Sequence, residues 1–427
     1  MMTKEENERL TKIGPRTPCG EFLRRYWQPA ALSEELLAGG APLPVTLLGE
    51  ELVLFRDERG QPGLLALHCS HRGADLSYGR LEDGGLRCIY HGWLYDIHGN
   101  CLDQPAQAGG GEHKSAIRHP AYPCQEAAGV IFAYLGPGEP PLLPAYDLLT
   151  VPEEYRYMPM KSFHECSFLQ GNEGNLDPVH LSFLHRLWED KDAEAWSSGG
   201  KGMARATALE LNRSDLAPLI DAEVTDFGLR IFSVRKVAED QNYVRITNFV
   251  MPNLCAIGGG TGGDGYQMDW HVPIDDTHHW KYSMAFRRSQ PLTDRRLKDR
   301  LAGITTGYRR KQTAANRYLQ DRGEMNTKSF SGLGNNFMGH DGFAVETPGP
   351  IQDRTQEHLV TTDKAIVAGR KLLLQGIRDV EEGRDPQHVV RDPERNRFPY
   401  IMVRHVVVQA GVDWRNSWKE NIPDRVR

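Results

Sequence analysis

The chain carries two short segments in which a cysteine is followed closely by a histidine. The first occupies residues 69–71 (CSH) and the second, after sixteen further residues, occupies residues 88–91 (CIYH). Thiolate sulfur and imidazole nitrogen are both strong ligands for transition metals. The pattern C-x-H followed by C-x-x-H therefore predicts that two tight loops converge on one metal centre, and the surrounding fold has to hold them in that position.

Two cysteines and two histidines are the ligand set of a Rieske [2Fe–2S] centre, with the thiolates on one iron and the imidazoles on the other. The predicted ligands are Cys69, His71, Cys88 and His91. A structural zinc site and a disulfide between the two cysteines are the alternatives. Zinc sites of this composition usually pair C-x-x-C with H-x-x-x-H, whereas each segment here supplies one residue of each type.

Two residues beside the ligands are expected to form the immediate surroundings of the cluster. Arg72 directly follows His71, and Trp93 lies two positions after His91. Outer residues of this kind control the access of water and the orientation of the ligands. We expect Trp93 to cover the cluster from bulk water.

Composition excludes several classes of protein. The 427 residues have a net charge of −6 and 39% hydrophobic content, so a large core is expected and a basic surface for nucleic acid is not. No apolar run is long enough to span a membrane, and the first residues are acidic and polar. The odd number of cysteines, seven, suits a reducing compartment, and a cytoplasmic protein is expected. The cysteines without a ligand role are expected to be buried: Cys19, Cys101, Cys124, Cys166 and Cys255.

The hydrophobic pattern divides the chain into an α+β protein of two main parts. Short alternating apolar runs separated by turns predict a small antiparallel β domain that carries both ligand loops. The segment GPGEPP at residues 136–141 interrupts regular structure. We predict a helical or extended lead-in at residues 1–40, the β domain at 41–145 and an α+β catalytic domain at 146–427.

Several elements of the second part can be predicted from periodicity. Residues 244–252, 270–274 and 280–286 read as strands. Residues 361–379 read as a helix capped by Thr361 or Thr362, and residues 295–320 read as a second helix. His278 and His279 are placed in a hairpin turn and are given no metal role.

A second group of possible ligands follows the pattern D-x-x-H-x-x-x-x-H. It contains Asp177, His180 and His185. On an ideal helix, two residues five apart point roughly 140° away from each other, so a shared metal ion requires local unwinding or a π-bulge. By itself, the spacing is more often that of ordinary helix residues. A cluster that supplies electrons needs an acceptor, however, and two histidines with one carboxylate are typical of mononuclear non-haem iron.

These motifs, in this order and spacing, resemble the catalytic (alpha) subunit of the Rieske non-haem iron aromatic ring-hydroxylating oxygenases, and specifically the phthalate dioxygenase-like group. The resemblance spans nearly the whole chain. It implies a catalytic domain of the helix-grip type, in which helices flank an antiparallel sheet. It also implies that His180 and His185 bind the mononuclear iron.

The third iron ligand implied by the resemblance is Asp341, in the segment HDGFAVE at residues 340–346. Three other carboxylates remain possible: Glu346, Asp353 and Glu357. Asp341 also fits a plain turn residue.

Asp177 matches the family's bridging aspartate. In relatives, the Rieske centre of one subunit lies beside the mononuclear iron of the next, and this carboxylate links a histidine ligand of each, here His91 and His180. The alternative role is to cap a helix that begins at Pro178.

The resemblance implies a terminal oxygenase that uses O2, a [2Fe–2S] cluster and mononuclear Fe(II) to hydroxylate an aromatic substrate, with an aromatic carboxylate favoured. Ring cis-dihydroxylation is the main expectation, O-demethylation of a methoxylated aromatic acid is the alternative, and a non-catalytic Rieske electron carrier is a remote third. A separate flavin and ferredoxin reductase would supply electrons from NAD(P)H, and the family forms homotrimers or hexamers. Neither nucleic acid nor a membrane is expected as a partner.

An aromatic carboxylate requires a cationic anchor in an otherwise apolar pocket. The candidates are Arg230, Arg235 and Arg245, although each also fits a solvated strand residue.

Overall fold

The structure is a computed structural model that describes residues 2–107, 114–157, 159–188, 205–258, 265–289, 291–292 and 303–421. The helices in these residues are α1 Lys4–Thr11, α2 Pro18–Leu23, α3 Asp147–Thr150, α4 Phe168–Leu176, α5 Arg205–Ser214, α6 Phe337–Glu346 and α7 Lys364–Glu381. The first eleven strands are β1 Gln28–Leu32, β2 Leu43–Leu47, β3 Glu50–Arg56, β4 Pro62–Ala66, β5 Arg80–Glu82, β6 Gly85–Arg87, β7 Leu94–Tyr95, β8 Cys101–Asp103, β9 Ala121–Tyr122, β10 Cys124–Ala127 and β11 Val130–Ala133. The remaining strands are β12 Met160–His164, β13 Leu219–Val224, β14 Gly228–Ala238, β15 Gln241–Val250, β16 Leu254–Ile257, β17 Gln267–Asp275, β18 His278–Ala285 and β19 Arg404–Gln409.

Three small sheets make up the N-terminal part of the fold. Their strand orders are β1-β11-β10, β2-β3-β4-β9 and β5-β6-β7-β8, with antiparallel neighbours. The first ligand segment follows β4, and the second lies between β6 and β7. A separate apolar core supports both loops; its buried members include Val53, Phe55, Leu65, Leu76 and Leu86. The predicted antiparallel β domain is therefore confirmed.

One eight-stranded antiparallel sheet dominates the C-terminal part. Its order is β12-β18-β17-β16-β15-β14-β13, and β19 pairs with β15 beside β16. All three strands predicted from the sequence in this region are present, as β15, β17 and β18. Helix α4 packs on β16, β17 and β18, while α7 packs on β13 and β14. The chain is thus an α+β protein, as predicted.

Helix α7 confirms the helix predicted at 361–379, and its sequence explains its packing. Its buried apolar positions recur every three or four residues along one face: Ala365, Gly369, Leu373, Gly376 and Ile377. Two glycines allow this close packing: a Cβ at Gly376 would lie 2.4 Å from the Phe22 ring, and one at Gly369 would lie 2.7 Å from a terminal methyl group of Leu176. The predicted caps are wrong: residues Thr361–Asp363 form a 3-10 turn, and Asp363 is the N-cap.

The helix predicted at 295–320 is also wrong wherever the structure describes it. Residues 295–302 lie outside the described residues, and residues 303–320 form turns, an isolated bridge and the 3-10 segment Ala314–Leu319. Gln312 is buried and donates to the carbonyls of Tyr318 and Leu333. These tertiary hydrogen bonds override the helical propensity of the segment.

Two smaller predictions need correction. The hairpin turn between β17 and β18 consists of residues 276–277, so His278 begins the strand and His279 is fully buried within it. Among the cysteines predicted to be buried, Cys124 is only partly buried and the other four are buried. Within the described residues, no helix combines the length and the apolar character that crossing a membrane would require.

Candidate metal centres

The two ligand loops share one backbone hydrogen-bond pattern. In each, the cysteine N–H donates to the carbonyl five residues later, at 2.8 Å for both Cys69 and Cys88. The glycine four residues after each cysteine donates back to the cysteine carbonyl, at 2.8 Å from Gly73 and 3.0 Å from Gly92. Both glycines have φ near +75°, which favours glycine. The loops therefore present their side chains in equivalent ways.

The two loops bring their predicted ligands together in like pairs, with Cys69 beside Cys88 and His71 beside His91. Cys69 and Cys88 are each 3% exposed. The rings of His71 and His91 lie 4.4 Å apart between centroids, and the buried Nδ1 of His71 has no hydrogen-bond partner in the described residues. Two buried thiols beside two imidazoles, one with an unsatisfied nitrogen, suit the donor set of a Rieske cluster.

The residues predicted to surround the cluster differ in their placement. Trp93 stacks on the His71 ring at 4.7 Å and 4°, as a covering residue would. Arg72 is exposed, and its guanidinium lies 5.5 Å from the centre of the Tyr90 ring. Trp93 therefore contacts a predicted ligand, His71, whereas Arg72 contacts the ring of Tyr90.

Sequence analysis missed a buried tyrosine beside the cluster loops. The hydroxyl of Tyr95 lies 3.2 Å from the Sγ of Cys69, and its ring stacks on His119. His119 is held in turn by Ser70, whose Oγ lies 2.7 Å from Nδ1 of the imidazole. In the sequence, Tyr95 looks like any apolar strand residue, so no signal marked it.

The second ligand group sits where helix α4 unwinds. The helix ends at Leu176, and His180–Ser182 form a single 3-10 turn, so the predicted distortion is an unwinding. His185 follows this turn. Helix α6 brings Asp341 to the two histidines, and one ligand atom from each of the three lies within 4.8 Å of the others. The closest approach is 2.9 Å, between Nε2 of His185 and Oδ1 of Asp341.

Opposite charges in this second ligand group shift the pKa values of Asp341 and His180. Burial tends to raise the pKa of Asp341, but His185, Lys281 and His180 outweigh it and hold that pKa well below its usual range. Burial tends to lower the pKa of His180, but the carboxylates of Asp177 and Asp341 outweigh it and raise that pKa. An ionised carboxylate beside two imidazoles offers the donors of a mononuclear non-haem iron site.

The other carboxylates considered for the third ligand are engaged elsewhere. Glu346 is buried and bonds to Arg310 and to the hydroxyl of Tyr318. Glu357 accepts two hydrogen bonds from Arg370. Asp353 accepts from Thr355 near the surface. Of the four candidates, Asp341 alone is brought to the two histidines.

The alternative capping role of Asp177 is wrong, because no helix begins at Pro178: Asp177 is the C-cap of α4, and the next 3-10 turn begins at His180. Its Oδ1 accepts a hydrogen bond of 2.7 Å from the N–H of Val179, which is an Asx-turn contact. Its Oδ2 lies 3.7 Å from Nδ1 of His180. The side chain is 27% exposed, so it remains accessible next to this histidine.

Two of the three candidate anchor arginines are committed to the protein itself. Arg230 bonds to Glu223 at 3.0 Å and to the carbonyl of Tyr400 at 2.9 Å. Arg235 is 0% exposed and donates to the carbonyl of Pro178 at 2.9 Å. The alternative that these are solvated strand residues is wrong, because both guanidinium groups are buried.

Arg245 differs from the other two. Within the described parts of the chain, no hydrogen bond or ion pair involves it, and its buried Nε has no partner. Arg245 pairs with Ser233 across β14 and with His405 across β19. Cross-strand partners lie on the same face of a sheet, so Arg245 shares the face of Ser233 and Arg235, and Arg235 reaches the carbonyl of Pro178 and the hydroxyl of Ser182. Arg245 therefore lies on the side of the sheet that carries the segment of His180. His405, whose buried Nε2 also has no partner, was not identified from the sequence.

Comparisons with known proteins identify the family of the chain. The model of a "Rieske [2Fe-2S] domain" matches residues 26–123, and the model described as "LigXa C-terminal domain like" matches residues 133–424. The phenoxybenzoate dioxygenase alpha subunit of Ectopseudomonas oleovorans is 34% identical over 89% of this chain and 87% of its own. The phthalate 4,5-dioxygenase oxygenase subunit of Pseudomonas putida is 33% identical over 97% and 94%. The 5,5'-dehydrodivanillate O-demethylase oxygenase subunit of Sphingobium sp. is 30% identical over 96% and 89%.

Solved structures share the fold. Dicamba monooxygenase bound to dicamba superposes with a TM-score of 0.58 at 19% identity, covering 85% of this chain and all of that one. The terminal oxygenase of carbazole 1,9a-dioxygenase from Novosphingobium sp. KA1 gives 0.57 at 21% identity, covering 90% and 99%. The chain therefore belongs to the Rieske non-haem iron oxygenases as a terminal oxygenase (alpha) subunit, an enzyme that uses a [2Fe–2S] cluster, a mononuclear iron and O2.

Proposed function

We propose that this oxygenase acts on an aromatic carboxylate and adds hydroxyl groups to two neighbouring ring carbons. The observation that carries this substrate class is Arg245, a partly buried residue without a hydrogen bond or ion pair in the described parts of the chain, on the sheet face next to the segment that leads to His180. Its Nε is buried without a partner, which is costly, and an anionic ligand would remove that cost. The planar guanidinium fork also matches a carboxylate in two parallel hydrogen bonds. His405, the cross-strand neighbour of Arg245, offers a second polar contact to the same ligand.

The geometry described above supports the proposed metal ligands. Cys69, Cys88, His71 and His91 hold the cluster, and His180, His185 and Asp341 hold the mononuclear iron. When bound, the iron supplies O2 chemistry that the amino acids cannot provide. The residues around the iron site orient the aromatic ring of the substrate, exclude water from the site and keep Asp341 ionised.

Electron transfer is proposed to pass between subunits. Asp177 would accept hydrogen bonds from His180 in its own chain and from His91 of a neighbouring copy, which fixes both rings on a short path. Such a head-to-tail contact has to close into a ring, so a homotrimer or a hexamer of two trimers is proposed.

A separate reductase with flavin and ferredoxin centres is proposed to deliver electrons from NAD(P)H. Carbazole 1,9a-dioxygenase, which shares the fold, has structures as an oxygenase and ferredoxin complex. All seven cysteines are unpaired, which suits a cytoplasmic enzyme.

O-demethylation is the second candidate reaction. It is favoured by the similarity to an O-demethylase subunit, which extends over 96% of this chain. The two reactions differ in which substrate carbon lies nearest the iron. The distinction is therefore one of substrate placement within the same site.

A product screen separates these candidates. The purified enzyme with a surrogate reductase would be given benzoates and methoxybenzoates, with His180→Ala as the inactive control. A ring dihydrodiol is the expected product, whereas formaldehyde release would establish the demethylase.

A further inference from the structure

His340 is a buried histidine that neither the sequence analysis nor the proposed ligand set uses. It immediately precedes Asp341 on helix α6 and is 0% exposed. Its ring lies nearly parallel to that of His185, with centroids 5.2 Å apart and an interplanar angle of 16°. His340 contacts Nδ1 of His185, and Asp341 contacts Nε2 of the same ring. Two consecutive residues of α6 thus contact both nitrogens of one imidazole.

The positions of the protons in this group follow from its contacts. Nε2 of His340 lies 3.0 Å from the carbonyl oxygen of Gly334, which can only accept, so Nε2 carries the hydrogen. A neutral imidazole has one N–H, and burial disfavours the charged form, so Nδ1 of His340 is an acceptor. It lies 3.1 Å from Nδ1 of His185, which must therefore donate.

The hydrogen on Nδ1 determines the state of the other ring nitrogen of His185, Nε2. With its hydrogen on Nδ1, the neutral ring has a bare lone pair on Nε2, which lies 2.9 Å from Oδ1 of the ionised Asp341. Two acceptors then face each other, and a cation bound between them satisfies both, so this tautomer is the one that a metal-loaded site requires. A histidine binds a metal through such a lone pair, and its second nitrogen usually donates to an acceptor that fixes the tautomer and the ring orientation. Here the acceptor is another imidazole, in place of the more usual carboxylate or carbonyl.

We propose that His340 is a positioning residue that sets the tautomer of His185 and so directs Nε2 of His185 toward the mononuclear metal. This inference rests on the proposed metal site. It assigns His340 no contact with the metal or the substrate. The chain of donors and acceptors runs from His185 through His340 to the carbonyl of Gly334.

The test measures metal affinity directly. Protein with its cluster intact and oxidised, but stripped of the mononuclear metal, would be titrated with Mn(II), and binding would be followed by the loss of the free-ion EPR signal. His340→Leu removes the acceptor at similar volume, and we expect Mn(II) to bind about 10- to 100-fold more weakly. His340→Asn keeps an acceptor oxygen where Nδ1 was, and it should retain affinity within about threefold of the wild type.

A second comparison guards against unfolding of the leucine variant. His340→Gln has an amide that can reach Gly334 but places no acceptor at the Nδ1 position, so it should bind as weakly as His340→Leu. Melting temperatures of the Asn and Gln variants would be matched, because a purely structural role would affect both alike. Equal affinity in the Asn and Gln variants would overturn the proposal.

The outcomes also distinguish this inference from the proposed function. If neither the wild type nor any variant bound Mn(II) or Fe(II), the metal site itself would be wrong. If the wild type bound metal, His185→Ala did not, and all His340 variants bound like the wild type, only the positioning role would fail.

Discussion

Oδ1 of Asp341 lies 2.9 Å from Nε2 of His185, although 156 residues separate them along the chain. The contact exists because α4 and α6 pack against each other and α4 unwinds just before His180. A carboxylate held this close to a buried imidazole suits a shared cation more than an ordinary core.

Asp341→Asn should remove the mononuclear iron and leave the cluster in place. The amide has no charge to offset that of the metal, so iron should fall from about three atoms per chain to about two, with unchanged Rieske absorption. Metal analysis of the purified variants checks this result. Asp353→Asn is the matched control, because Asp353 only accepts hydrogen bonds from Thr355 near the surface. If only Asp353→Asn lost iron, the third ligand of the mononuclear iron would be Asp353 and not Asp341.

Asp177→Asn should keep both metals and lose turnover. The amide oxygen can still accept from the N–H of Val179, so the local fold is retained, but the charge beside His180 is lost. We expect the oxidation of a reduced cluster, in the presence of substrate and O2, to slow by about 100-fold. Stopped-flow absorption measures that step, with the exposed Asp226→Asn as the control. Wild-type rates in Asp177→Asn would exclude the bridging role.

Tyr95→Phe should lower the reduction potential of the cluster. Its hydroxyl approaches Sγ of Cys69 at 3.2 Å, and a hydrogen bond to sulfur stabilises the reduced, more negative state. A difference of about 1 kcal/mol between the two redox states corresponds to a fall of about 40 mV. Protein-film voltammetry would measure the shift. Tyr90→Phe, at a tyrosine that is 55% exposed, should leave the potential unchanged, and a similar shift in both variants would contradict the argument.

Arg245→Gln should weaken the binding of aromatic carboxylates. Loss of a charged hydrogen-bond pair of about 1.5–3 kcal/mol corresponds to a Kd about 10- to 150-fold higher. Substrate-induced spectral titration with benzoates checks this, and a neutral amide analogue should bind equally to both proteins. Arg230→Gln is the control, because its guanidinium is paired with Glu223. An effect confined to the Arg230 variant would move the anchor to that residue.

Glu173→Gln should destabilise the fold without touching the metal ligands. The buried Glu173 accepts from Arg354 at 2.8 Å and from Arg370 at 2.6 Å, which joins α4 to α7. Removing one charge of such a network costs about 3–5 kcal/mol. Urea unfolding at about pH 7 would measure this loss. Glu8→Gln, at an exposed position on α1, should change the free energy of unfolding by less than about 0.5 kcal/mol.

The difference in the free energy of unfolding between the wild type and Glu173→Gln should also depend on pH. Burial tends to raise the pKa of Glu173, but Arg354 and Arg370 outweigh it and hold that pKa below its usual value of 4.5. A lowered pKa in the folded state means that the stabilisation is complete above 4.5 and is lost as the pH falls further. The difference between wild type and Glu173→Gln should therefore shrink in acid, and a constant difference would contradict the assignment.

Local sequence was enough to predict the small β domain, three of the eight strands of the large sheet and helix α7. Each has a hydrophobic period that matches its own secondary structure, as the buried face of α7 shows. The helix predicted at 295–320 failed where it is described, because buried side chains such as Gln312 bond to distant carbonyls that no local pattern reveals.

The sequence by itself determined the two ligand motifs, since residues within a few positions of one another stay close in any fold that keeps those loops. Only the tertiary structure decided which carboxylate lies beside His180 and His185, which arginine is unpaired, and which groups surround the ligands. Asp341, Arg245, Tyr95 and His340 depend on strand register and helix packing between distant segments. Such contacts arise from the burial of whole faces, and single residue types do not encode them.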